Sequence, residues 1–144
     1  MRGDDAVGLV VARLLKKNEE LTKHAAIVEE TGDGTRLIEL WKASKFTILV
    51  DAVRSRSEPG HISRFEADKW SLPLGPFQRS THAFSIPEAI ELSRTMNELP
   101  KALVVYGVEG KKFGQELGMS PEVERSTQEL VELITLEILQ QPCM

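Results

Sequence analysis

Cysteine is nearly absent: Cys143, next to the last residue of the 144-residue chain, is the only one. It cannot close an internal disulfide, and no cysteine-based metal site can form within one chain. A reducing, cytoplasmic compartment is the expectation. Aromatic residues are few as well. Two tryptophans, one tyrosine and five phenylalanines give no platform on which bases could stack. Neither sign of charge dominates. The formal net charge is −4, with acidic and basic residues interleaved, which argues against nucleic acid or an anionic membrane bound by bulk electrostatics. No apolar run approaches the ~20 residues of a membrane span, and no apolar signal segment follows the N-terminus. There is no internal repeat, no low-complexity tract and no G-x-S-x-G elbow. Gly32-Asp33-Gly34-Thr35 lacks the Walker lysine and the glycine spacing of a phosphate loop, so it reads as turn chemistry.

What is present is an ordinary globular composition, 41% hydrophobic and 28% charged, enough for one domain over residues 1–144. The opening stretch, Arg2-Gly3-Asp4-Asp5-Ala6-Val7-Gly8, sets two carboxylates between glycines. Val7, Val10, Val11, Leu14 and Leu15 then recur at the spacing of one helix face. The pattern predicts a helix over residues 5–17 with Asp4 or Asp5 at its N-cap. Ala25–Glu29 reads as a short strand. A second helix is expected over Arg36–Ala43, capped by Asp33 or Thr35.

Phe46–Val50 is nearly all apolar and fits a central strand buried on both faces, ending at Asp51. His61–Phe65 alternates like an edge strand, pairing near Asp51. Residues 67–80 have no period and read as a long loop. Ser85, Pro87 and Glu88 spell a capping box for a third helix. Ala102–Val108 is a second all-apolar strand, and Ser120-Pro121-Glu122-Val123 opens a last helix running to about Gln140. Helices alternating with apolar strands predict an α/β fold, a three-layer α/β/α sandwich around a mostly parallel twisted sheet.

In such sheets ligands bind at the carboxyl ends of the strands. Asp4/Asp5 at the first helix start, Asp51 after its strand and His82 before the third helix all fall there. Two carboxylates and an imidazole suit a borderline divalent ion such as nickel, zinc or iron. Three ligands leave a position open for water or substrate. Each residue also has a purely structural reading: helix cap for the Asp pair, loop cap for Asp51, hydrogen-bonded loop histidine for His82. His24 and His61 have weaker contexts and read as structural or solvent-facing.

These segments match a family. With Gly32-Asp33-Gly34-Thr35, Ile48–Val53, Pro59-Gly60-His61-Ile62-Ser63-Arg64-Phe65, Ser80-Thr81-His82-Ala83-Phe84, Tyr106-Gly107-Val108-Glu109-Gly110 and Gly118–Val123, the chain resembles the NiFe-hydrogenase maturation proteases. The matching pieces span nearly the whole sequence in the family's order. The resemblance implies an endopeptidase that trims the C-terminal tail of the nickel-loaded large-subunit precursor. It implies nickel ligands at Asp5, Asp51 and His82, the metal being supplied by the substrate. Asp4, Asp5 and Asp51 are the candidate catalytic carboxylates. A monomer is expected, with neither nucleic acid nor membrane as partner. The alternative is a nickel-site checkpoint module without proteolysis. Family members usually begin with an apolar strand and a Gly-Asn turn before the Arg-Gly-Asp-Asp motif. This sequence enters at Met1 within that motif, so a sheet one strand short of the family's is expected.

Overall fold

The computed structural model describes residues 3–29, 34–77, 85–111 and 118–141. A short 3-10 helix, Gly3–Ala6, leads into α1 (Val7–Lys16). There follow α2 (Glu19–Thr22), α3 (Gly34–Trp41), β1 (Phe46–Val53), β2 (Ile62–Glu66), α4 (Leu74–Phe77), α5 (Ile86–Thr95), β3 (Ala102–Glu109) and α6 (Pro121–Leu139).

The strands form one sheet of order β1-β3-β2. β1 and β3 run parallel in the register Asp51↔Gly107, and β2 pairs antiparallel with β3 in the register Ser63↔Gly107. Alternation along β3 sends Val104, Tyr106 and Val108 to one face and Leu103 and Val105 to the other. The first face packs against Val7, Val11 and Leu15 of α1 and Val123, Leu130 and Ile134 of α6. The second packs against Leu37 and Trp41 of α3 and Ile86, Ala89 and Ile90 of α5. This is the expected three-layer α/β/α sandwich, its sheet holding three strands among the described residues. Among those residues no helix is long and apolar enough to cross a membrane.

The capping box of α5 forms as its spelling predicts. The Glu88 N–H donates to Ser85 Oγ at 3.3 Å and the Ser85 N–H to Glu88 Oε1 at 3.0 Å, and the latter bond holds the Glu88 carboxyl below its ordinary pKa. Asn18 caps the unforeseen α2 by accepting the N–H groups of Glu20 and Leu21.

Several expectations need correction. Residues 67–80 are not loop throughout, because Leu74–Phe77 form the single turn of α4. Ala25–Glu29 is not a strand, because none of the strands pairs with it; a strand is stabilised by its neighbour, which propensity alone does not supply. Its Ile27 still packs against the α1/α6 core. The central strand is β3. Among the described residues β1 lies at the edge, and its residues up to Asp51 are only half-buried. β2 pairs with β3 rather than beside Asp51, so Ser63 and Asp51 flank Gly107 from opposite sides. Thr35 lies inside α3 rather than capping it; Asp33 lies outside the described residues.

Candidate active site at the carboxyl ends of the parallel strands

β1 and β3 end side by side at Val53 and Glu109. The loops that leave them, and the opening turn of the chain, gather at this end of the sheet. Asp51 is placed here by its register opposite Gly107. It belongs to β1 itself, and one of its oxygens, Oδ1, accepts the N–H of Ala52 at 3.0 Å. The opening 3-10 helix lies against β1. Gly8 is what allows the approach: a Cβ there would sit 2.6 Å from the carbonyl oxygen of Val50.

Asp4 does not cap α1. The N-cap residue is Ala6, which makes no side-chain cap bond. Asp4 is instead fully buried, at 0% exposure. Its Oδ2 accepts the Lys111 N–H at 2.6 Å, and its Oδ1 accepts the Ser120 N–H at 2.8 Å. The Ser120 hydroxyl points at both oxygens, at 3.2 and 3.1 Å. A buried carboxylate is costly unless donors surround it, and here it draws them from residues more than a hundred positions away. Ser120 is the N-cap residue of α6, as the Ser-Pro spelling predicts, but its side chain makes no cap bond. A serine cap contributes about 1 kcal/mol; that hydroxyl is directed to Asp4.

The residue that sequence reasoning missed is Glu109. It is 4% exposed and accepts the Ser55 N–H on both carboxylate oxygens, each at 3.0 Å. The Ser55 hydroxyl donates to the same carboxylate. The Glu109 backbone joins this arrangement: its carbonyl accepts from Gly60 N–H and its N–H donates to the His61 carbonyl. The loop after β1 is thus tied at both ends to the last residue of β3.

The structure brings Asp4 and the opening turn to the strand end that carries Asp51. The Asp5 side chain and all of His82 lie outside the described residues. Among the described residues no three His, Cys, Asp or Glu groups converge as a metal site. His24 faces Glu20 on the surface at 3.3 Å, and the His61 side chain is exposed.

The family model described as hydrogenase maturation protease matches residues 9–137. The hydrogenase expression/formation protein HupD of Thiocapsa roseopersicina is 22% identical over 139 residues, covering 96% of this chain. The chain spans 62% of that relative's length. Among solved structures, an endopeptidase from Escherichia coli superimposes with a TM-score of 0.78 at 20% identity, covering 97% of this chain and 93% of its own. The hydrogenase maturating endopeptidase HybD from E. coli does so with a TM-score of 0.75 at 18% identity and the same coverage of 97% and 93%. At such identities the superpositions establish the fold. The family match runs from within α1, through both parallel strands and their loops, into the end of α6, and by it the chain belongs to the hydrogenase maturation proteases.

Proposed function

We propose that this protein is the endopeptidase that removes the C-terminal tail of a NiFe-hydrogenase large-subunit precursor, working as a monomer in the cytoplasm and recognising the nickel already loaded in its substrate. The observation that carries the reading is the family match across the sheet and its carboxyl-end loops. The placement of Asp51 beside the opening turn is compatible with it. Asp5, Asp51 and His82 are the proposed ligands. Two carboxylates and an imidazole are a donor set suited to a borderline divalent ion. An ion so held keeps open positions at which a scissile carbonyl or a water can be polarised. Recognition of the substrate's own metal makes cleavage conditional on loading.

The test is incubation with nickel-loaded and nickel-free large-subunit precursor, with the released peptide followed by mass. Cleavage of the loaded form alone is expected. His82→Ala and Asp51→Asn are expected to lose at least about 100-fold in rate, the scale seen when a group that stabilises developing charge is removed, with circular dichroism unchanged. Tight binding of loaded precursor without cleavage would make the protein a checkpoint module. Equal cleavage of both precursors would remove nickel from the reading.

A further inference from the structure

We propose that Asp4 is a positioning residue: its buried carboxylate bolts the turn that carries Asp5 to both flanks of the β3–α6 connection, and thereby fixes the backbone from which Asp5 departs. The metal consequence rests on the reading of Asp5 as a nickel ligand. The bolt itself rests on geometry alone.

Asp4 has no exposed surface. Its oxygens face the backbone N–H groups of Lys111 and Ser120 and the Ser120 hydroxyl. A carboxylate so enclosed cannot meet a substrate water or a scissile bond. It can hold three pieces of chain in one geometry, since charge-assisted bonds from backbone N–H are short and directional. Lys111 follows Gly110, whose N–H donates to the Val53 carbonyl at 3.1 Å, so this anchor is tied to the end of β1. Ser120 begins α6. The opening turn is therefore fixed to the end of the sheet and to the head of the long helix. Asp5 is the next residue of the same 3-10 helix, and its backbone cannot move without breaking these bonds. Ser120 gives up its own cap bond to take part, which marks the arrangement as one selected against the local preference of the helix start. Residues that orient metal ligands typically change metal affinity 10–100-fold when altered.

The experiment uses the full chain, with Ni2+ alone as probe by calorimetry, and amide hydrogen exchange as a second readout. In Asp4→Asn one carboxylate oxygen becomes an NH2 group facing a backbone N–H, so one arm of the bolt is lost. Its Ni2+ dissociation constant is expected to rise about 10-fold or more, with the amides of Lys111 and Ser120 exchanging faster while those of β3 stay protected. Ser120→Ala keeps its N–H but loses the hydroxyl, and a smaller change in the same direction is expected. It also serves if Asp4→Asn fails to fold. Loosened amides with Ni2+ affinity unchanged would overturn the positioning role, and so would exchange that accelerates uniformly across the sheet. Ni2+ binding that is indifferent to Asp5→Asn would instead remove the nickel reading itself. Loss on Asp5→Asn with none on Asp4→Asn would remove only the role of Asp4.

Discussion

Glu109 and Ser55, fifty-four residues apart, meet across the ends of two parallel strands: one carboxylate takes the backbone N–H and the hydroxyl of one serine. The bond decides where the loop after β1 begins, and that loop leaves the strand two residues past Asp51. Glu109→Ala removes the acceptor of both the Ser55 N–H and the Ser55 hydroxyl. Hydrogen bonds to charged groups contribute about 1.5–3 kcal/mol each. We expect Glu109→Ala to lose about 2–3 kcal/mol in urea unfolding, with proteolytic nicking appearing between Arg54 and Gly60 before the domain unfolds.

A second long-range bond secures the opposite face of the sheet. Trp41 of α3 donates its indole N–H to Ser93 Oγ of α5 at 2.9 Å, and the two are 1% and 0% exposed. Ser93→Ala leaves that donor buried without a partner, a penalty of about 1–3 kcal/mol. Denaturant unfolding should show the loss as a lower midpoint with an unchanged slope. A midpoint equal to wild type would mean that the indole finds another acceptor.

The features legible in the sequence were the local ones. Ser85 and Glu88, or Ser120 and Pro121, are three residues apart or adjacent, and helix starts are settled at that range. The apolar run from Ala102 to Val108 announced a buried strand without ambiguity. Ala25–Glu29 shows where local reading stops: its residues suit a strand, but a ladder needs a neighbour. The site divides the same way. Asp51 was singled out because it ends an apolar run, and Glu109 ends another, so the same signal could have found it. That Asp4 would turn away from its own helix toward Lys111 and Ser120 had no local sign, because both partners lie over a hundred residues downstream.

Tyr106 supplies a pH test. Its hydroxyl donates to Glu137 Oε1 at 2.8 Å, and Arg64 Nε reaches the same oxygen at 2.6 Å. Burial, followed by the Glu137 carboxylate, raises the Tyr106 pKa above its ordinary 10.0. A group raised in the folded state gives its full contribution below the unfolded pKa and loses it as pH rises through the folded one, because the unfolded chain ionises first. Wild-type stability should therefore decline above about pH 10. Tyr106→Phe should start about 1–2 kcal/mol lower at neutral pH and show a flatter alkaline limb. Parallel limbs in the two proteins would contradict the assignment.

Gly8 makes the sharpest prediction about the site. It lies in α1, where alanine is ordinarily favoured over glycine by about 1 kcal/mol. Yet a Cβ at this position would stand 2.6 Å from the Val50 carbonyl oxygen, well inside contact distance and against backbone that belongs to a paired strand. Overpacking of this kind costs about 1–3 kcal/mol or more, so Gly8→Ala should be destabilising despite the better helix former. The clash lies one residue from Asp51 and three from Asp5. The turn can relieve it only by lifting off β1, and the variant should therefore lose Ni2+ affinity and precursor cleavage under conditions where it remains folded. Arg13→Ala, on the outer side of the same helix, is the control. It removes a surface ion pair to Glu29, so stability should barely change, with Ni2+ binding unchanged. Equal behaviour of the two variants would show that the close approach of α1 to β1 has no part in aligning the site.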